Sequence, residues 1–280
     1  MQHRVPAVNA VITTPATLHA IPCFAVAGPA VTVLVPFMRF HKLTYTGSRA
    51  AMPRLPSRVN GHCSSRLHHT HALINAIILA AGASRRTGNT NKLLLPYRGE
   101  PLVAHTTGQV CASKASEIVV VTGFEAEQIA ATVTALPVQI AYNQRYTQGM
   151  TTSVKAGLHA LTTEAQGFMV CLADMPLITA AAIDKLIAAF CCAVEGDSRA
   201  IVRAMHEKDP GHPVIFATAY HQEVLDHRGT SGCRNIITRN RDHMVPVELA
   251  ACTVDIDTQA DYERLRRSSH SSASVRSHAH

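Results

Sequence analysis

Leu79-Ala80-Ala81-Gly82-Ala83-Ser84-Arg85-Arg86-Thr87-Gly88, with Lys92 four residues further on, places a cationic, glycine-containing loop directly behind the apolar run Ile74-Asn75-Ala76-Ile77-Ile78-Leu79-Ala80. A short run of branched apolar residues reads as a strand buried on both faces of a parallel sheet. Where such a strand ends, Gly82 and Gly88 permit positive φ and close approach, so that successive N–H groups can converge on phosphate oxygens. Arg86 then offers a planar fork and Lys92 a point charge to a polyphosphate. The spacing fits neither G-x-x-x-x-G-K-[ST] nor G-x-G-x-x-G, which sets aside the P-loop and the dinucleotide fingerprint. Taken alone, the stretch is also compatible with an ordinary β–α turn.

Outward from this loop the chain alternates. Strands are expected at 74–80, 118–122, 138–142, 168–173, 200–204, 213–217 and 253–256, and helices at 101–113, 125–135, 151–162, 179–192, 218–225, 231–239 and 258–267. That rhythm predicts one α/β domain over 73–267, with a mostly parallel sheet and helices on both faces. Ligands of such folds bind beyond the carboxyl ends of the strands.

Residues 1–72 differ in kind. They hold no Asp or Glu and seven of the chain's 26 Lys and Arg, so that removing them leaves 19 basic against 19 acidic side chains. The formal charge of +7 therefore belongs to this segment, and the neutral remainder gives no reason to expect a nucleic-acid partner. Prolines at 6, 15, 22, 29, 36, 53 and 56, without a sustained period, read as a disordered leader or as residues upstream of a true start such as Met52. An organelle-type basic leader and a membrane-associated segment are the alternatives. The apolar stretch 21–37 is short for a span and is broken by Pro22, Gly28 and Pro29, so no membrane partner is expected. Residues 268–280, rich in Ser and His, read as a disordered tail. Eight cysteines without a C-x-x-C pair, several within apolar runs, indicate buried reduced thiols and a cytoplasmic setting. Cys191 and Cys192 read as packing residues on a helix.

The chemistry gathers at later strand ends. Ala173-Asp174-Met175-Pro176 closes the apolar run 168–172, delivering the Asp174 carboxylate to the cleft that the glycine loop faces. Mg²⁺ takes one or two carboxylates plus phosphate oxygens, and Asp174 is the protein contribution such an ion needs, although an Asp in this position can also cap a helix. Val254-Asp255-Ile256-Asp257-Thr258 brings two more acids, one of which could complete a metal site, while Asp257 could instead cap the helix near Thr258. Gly149-Met150-Thr151-Thr152-Ser153 and Gly229-Thr230-Ser231-Gly232-Cys233-Arg234 each open a helix whose free N–H groups suit an anion.

In order, these segments resemble the MobA-like nucleotidyltransferases across about 74–267, and within them the molybdenum cofactor cytidylyltransferases. The matching residues are the loop from Ala80 to Gly88 with Arg86 and Lys92, Pro101-Leu102, Gly123, Asn143, Gly149, Ser153, Asp174 in A-D-M-P, His212-Pro213 and Asp255-Ile256-Asp257-Thr258. The resemblance implies a three-layer, Rossmann-like nucleotidyltransferase domain. It implies that Leu79, Ala80, Ala81, Gly82, Ser84, Gly88, Gly123, Asn143, Gly149 and Ser153 bind the nucleotide, that Arg86, Lys92 and Asp174 are catalytic, and that Asp174 with Asp255 or Asp257 binds Mg²⁺. Its implied substrates are CTP and a phosphorylated acceptor of molybdopterin type, and a molybdoenzyme or its chaperone is a further partner it allows. Guanylyl-transferring relatives typically read A-G-G where this chain has Ala80-Ala81-Gly82, which favours CTP. Three positions depart from the pattern: Thr87 replaces Met, Thr230 replaces the Asp of G-D-x-G-A-R, and Gln259 replaces Pro. Phosphate-binding parts do not separate this acceptor from a methylerythritol phosphate or a sugar phosphate. A nucleotide sensor or an NAD(P)H oxidoreductase on the same fold is the reading of another class.

Overall fold

The structure, a computed structural model, describes residues 73–83, 91–258 and 260–267. Its strands are β1 (Ile74–Ala80), β2 (Pro96–Tyr97), β3 (Glu100–Pro101), β4 (Ile118–Thr122), β5 (Gln139–Tyr142), β6 (Gly167–Leu172), β7 (Ile201–His206), β8 (Asp209–Ala217) and β9 (Met244–Glu248). Its helices are α1 (Leu102–Cys111), α2 (Ala126–Val133), α3 (Met150–Ala160), α4 (Ala180–Gly196), α5 (His221–Asp226) and α6 (Arg234–Arg239), followed by α7 over 260–267. The main sheet runs β5-β4-β1-β6-β8-β7-β9, and β8 alone within it lies antiparallel to its neighbours. β2 and β3 form a separate small hairpin.

The apolar run 74–80 becomes the centre of the sheet because both of its faces are covered. α3 packs against β1, β4 and β5 and also meets α5, whereas α1 meets β1, α2 and α4. Ile74, Ile77 and Ile78 are completely buried, as are Val119, Val120 and Val121 beside them on β4. β1 stands between β4 and β6, so successive strands depart to opposite sides of it, and a crevice opens at its carboxyl end.

At the other end of these strands, Glu117 acts as a clasp. Its carboxylate accepts hydrogen bonds from the amides and hydroxyls of Thr162 and Thr163 at 2.7–3.0 Å and from Gln139 Nε2 at 2.6 Å. Partial burial alone would raise its pKa, but the Thr163 and Thr162 donors outweigh that and hold it down at about 2, against an ordinary 4.5. A lowered acid stabilises the native state above its unfolded pKa and loses that contribution as the pH falls towards its folded value. Glu117→Gln should therefore cost about 1.5 kcal/mol at pH 7, the low end for charged hydrogen bonds because the group is partly solvated. The deficit should shrink towards zero by pH 2–3. Urea denaturation of both proteins at the two pH values checks this.

Two expected elements differ in the C-terminal third. Residues 253–256 are not a strand: Ala250–Thr253 forms a 3₁₀ turn, and the extended segment after it makes one backbone bond to the β6 end, from Ile256 N to Asp174 O at 3.1 Å. The true strand is β9, at the sheet edge, where Pro246 costs no ladder bond that a central strand would need. The helix expected over 218–225 is divided into a 3₁₀ turn, Thr218–Tyr220, and α5. Cys191 is half-buried as expected, but Cys192 is exposed on α4 rather than packed. Among the described residues no helix is long and apolar enough to cross a membrane.

Candidate active site

Four pieces of chain deliver the polar groups of the crevice. β1 is followed by Ala81-Gly82, and β6 by Ala173-Asp174. Asn91 caps the 3₁₀ turn Lys92–Leu94, its Oδ1 accepting from Leu93 N at 3.1 Å, which fixes the root of Lys92. The 254–257 segment buries Ile256 at 1% exposure, and the period-2 alternation of extended chain turns Asp255 and Asp257 away from that core contact.

The outcome is a three-way ionic contact. Lys92 Nζ donates to Asp174 Oδ2 at 2.6 Å and to Asp257 Oδ1 at 3.0 Å. Burial by itself would lower the Lys92 pKa, yet the Asp174 and Asp257 carboxylates more than compensate and hold it above 10.5, so the ammonium persists at any physiological pH. Asp255 moves the opposite way. Burial raises its pKa, and the neighbouring Asp257 and Asp174 charges raise it further. At the start of the following helix Thr258 and Asp261 cap reciprocally, with Thr258 N bonded to Asp261 Oδ2 at 2.9 Å and Asp261 N to Thr258 Oγ1 at 3.2 Å.

A cleft of about 500 Å³ opens above this contact. Of the residues expected from the sequence, Leu79, Ala81, Gly82, Ser153, Lys92, Asp174 and Asp257 line it. Ala80 is buried behind it at 1% exposure. Asn143 is a brace rather than a wall: its side-chain amide donates to Thr152 Oγ1 at 2.8 Å and Ser153 Oγ at 3.0 Å, and its Oδ1 accepts from Arg145 N at 3.0 Å. Gly123 serves by being small, since a Cβ there would lie 2.7 Å from Tyr146 and 2.9 Å from Ala81. Gly149 has φ +108° and lies so close to Thr230 that no side chain fits, which docks the start of α3 onto the 229–233 loop. Thr151 Oγ1 accepts from Gly232 N at 3.1 Å across the same junction. Ser84, Arg86 and Gly88, together with 1–72 and 268–280, lie outside the described residues.

Sequence reasoning did not single out Tyr146, Thr147 and Met150 as cleft residues, nor Ala83, Leu93 and Leu172. The signal for the first three lay in the 142–158 stretch. There Gly149 must turn the chain with positive φ, and whatever flanks such a turn at a strand end faces the ligand crevice.

Whether these groups suit a metal is answered by their partners. Asp174 Oδ1 is buried without a hydrogen-bond partner, an orphan acceptor that a cation would satisfy. Among the described residues no three His, Cys, Asp or Glu side chains are grouped closely enough to hold an ion unaided. That arrangement fits an ion that draws most of its ligands from a substrate polyphosphate and water.

A family model described as the MobA-like NTP transferase domain matches residues 76–244, from within β1 to the start of β9. Molybdenum cofactor cytidylyltransferase of Escherichia coli (strain K12) is 27% identical over 190 residues, 68% of this chain and 93% of that protein. Nicotine blue oxidoreductase of Paenarthrobacter nicotinovorans is 32% identical over 114 residues, 41% of this chain and 55% of that protein. Among solved structures, a homologue from Mycobacterium sp. strain JC1 of a Mycobacterium tuberculosis protein aligns with a TM-score of 0.60 and 27% identity, over 70% of this chain and 96% of its own. The matched span covers more than half of the 280 residues and holds the crevice with its Lys92–Asp174 pair, so the chain belongs to the MobA-like NTP transferase family.

Proposed function

We propose that this protein transfers CMP from CTP to a phosphate of a molybdopterin-type acceptor, with Mg²⁺, in the cytoplasm. The observation that carries the reading is the contact of Lys92 with Asp174 and Asp257 at the carboxyl ends of β1 and β6. A cation between the β6-end carboxylate and one from the extended 254–257 segment, beside an orphan carboxylate oxygen, is a charge pattern suited to a metal–polyphosphate. In the reaction, an acceptor phosphate oxygen attacks the α-phosphorus, and the bond to the bridging oxygen breaks. Its electron pair leaves on pyrophosphate, and the product is a phosphoanhydride. Lys92 neutralises phosphate charge, and Asn143 keeps Ser153 and Thr152 in position at the start of α3. Asp174, with Asp257 or Asp255, would hold Mg²⁺, which supplies further neutralisation of the phosphate oxygens. No covalent intermediate is needed, because positioning and charge carry such chemistry.

The test ranks CTP, GTP, UTP and NADPH, each with Mg²⁺, by the rise in Tm. CTP should give the largest shift, and kcat/KM with a molybdenum cofactor acceptor should favour CTP over GTP. Ala81 lines the cleft and packs beside Gly123, so Ala81→Gly enlarges the wall by one methyl. A contact of that size is worth ~1–3 kcal/mol, hence the CTP:GTP ratio should fall by roughly ten- to two-hundredfold at most. A preference for GTP would overturn the cytidylyl assignment, and a dominant NADPH shift would favour the oxidoreductase reading. Turnover with a methylerythritol phosphate or a sugar phosphate in place of molybdenum cofactor would reassign the acceptor.

A further inference from the structure

Beside Met150 lies a second and smaller cavity of about 80 Å³. Met150 lines both this cavity and the main cleft. Arg203 of β7, His212 of β8, Ser231 just before α6 and Arg234 at its start furnish its polar groups, and among the described residues no carboxylate lines it. Arg203 is half-buried and, among the described residues, makes a single long hydrogen bond, from Nε to Gly211 O at 3.4 Å. Arg234 is exposed and has neither a hydrogen bond nor an ion pair among the described residues. The loop that carries it contributes no acid, since Thr230 stands where the family pattern has Asp.

Two guanidinium groups that face one cavity without a counter-ion repel each other. Arg203 registers this: burial, and then the Arg234 charge, push its pKa down. His212 sits among the same groups. Burial chiefly, and also the Arg203 and Arg234 charges, push its pKa down to about 4, so the ring is neutral near pH 7 although Asp174 is close enough to oppose the shift. Such an arrangement is stabilised when a multiply charged anion enters, because each guanidinium can then donate paired, charge-assisted hydrogen bonds.

We infer that Arg203 and Arg234, with His212 and Ser231, form the subsite that holds a phosphate monoester of the acceptor, separated from the nucleotide triphosphate by the Met150 side chain. The inference rests on the nucleotidyl-transfer reading and extends it to the other substrate. A cavity of this volume admits a phosphate group and not the body of a cofactor, so the remainder of the acceptor must lie in the open cleft. Met150 lines both this cavity and the cleft that holds Asp174, which puts the subsite beside the reacting centre, where an acceptor phosphate has to be.

Isothermal titration of the full chain with inorganic phosphate, first alone and then with the triphosphate site saturated by α,β-methylene CTP and Mg²⁺, tests the assignment. Phosphate should bind in both cases. Arg203→Met and Arg234→Met should each raise the phosphate Kd at least tenfold and leave the Kd of the CTP analogue within twofold, while Arg234→Lys should fall between. Phosphate should also move the His212 ring resonances of the wild type, which supplies a readout if a variant fails to fold. Absence of phosphate binding to the nucleotide-saturated protein, or an unchanged phosphate Kd in both Met variants, would overturn the subsite. A CTP-analogue Kd that rises in step with that of phosphate would give the arginines to the triphosphate instead. Equal binding of acetate would replace the phosphate monoester by a carboxylate. Failure of the CTP analogue to bind the wild type would remove the CTP reading while leaving the phosphate titrations to decide the cavity.

Discussion

Asp174→Asn should lower turnover by about a thousandfold at saturating Mg²⁺ while leaving Tm within a few degrees. The asymmetry follows from what the carboxylate touches. Its Oδ2 accepts from Lys92 at 2.6 Å, and the carbonyl oxygen of an Asn can take over that bond. Its backbone carbonyl holds Ile256 N at 3.1 Å, a bond that the substitution does not disturb. What an amide cannot provide is a second anionic oxygen in the place of the orphan Oδ1, nor the full negative charge a divalent ion requires. Metal-derived neutralisation of a phosphoryl transition state is worth several kcal/mol, and about 4 kcal/mol corresponds to the thousandfold loss. Steady-state rates over a Mg²⁺ series, with melting curves alongside, decide the matter. Turnover within twofold of wild type would remove Asp174 from the proposed metal site, and a collapse of Tm would make its role structural.

Strand ends were legible in the sequence wherever local pattern and tertiary demand agreed. The branched run 74–80 and Ile118–Thr122 occupy the residues expected of them, because a strand covered on both faces has to be apolar throughout. Asp174 was legible for a related reason, since a polar residue close behind such a run emerges at the carboxyl edge. The C-terminal third was less so. Met244-Val245-Pro246-Val247-Glu248 carries a proline that argues against a strand, and only its edge position, set by β7 and invisible locally, reconciles the two. Val254-Asp255-Ile256-Asp257 alternates as a strand would, yet it pairs through one backbone bond because β6 is already flanked by β1 and β8. That same segment brings Asp257 to Lys92 across 165 positions of sequence, a contact no local pattern contains. Asn143 shows the limit from the other side. Its position matched the family pattern, but its work as a brace for Thr152 and Ser153 is visible only once the loop is folded.

Lys92→Met should weaken both nucleotide binding and catalysis, and should leave a stability defect that depends on pH in a definite direction. The ammonium is 12% exposed and compensates Asp174 and Asp257, while Asp255, its pKa already raised by burial and by those two neighbours, stands beside them. With Lys92 gone, Asp174 and Asp257 lose their cation, and Asp255 loses the one charge that opposes its raised pKa, so its folded-state pKa rises further above the unfolded one. A raised acid destabilises the native state above its unfolded pKa, and the penalty is relieved as the pH falls and the group takes up a proton. The variant should therefore be less stable than wild type by about 2 kcal/mol at pH 8, a discounted share of the cost of breaking a buried pair because Asp257 is partly solvated, and by much less at pH 5. Added Mg²⁺ should recover part of the difference at pH 8 if the carboxylates hold that ion. In kinetics, an ammonium that meets the phosphates in both ground and transition states contributes uniformly to the two, so the CTP Kd should rise and kcat/KM should fall by about a hundredfold, with a smaller change in kcat. Denaturation at pH 5 and pH 8, titration with CTP, and steady-state rates together check the prediction. A stability deficit that grows on acidification would contradict the charge balance, and an unchanged CTP Kd would take Lys92 out of the phosphate site.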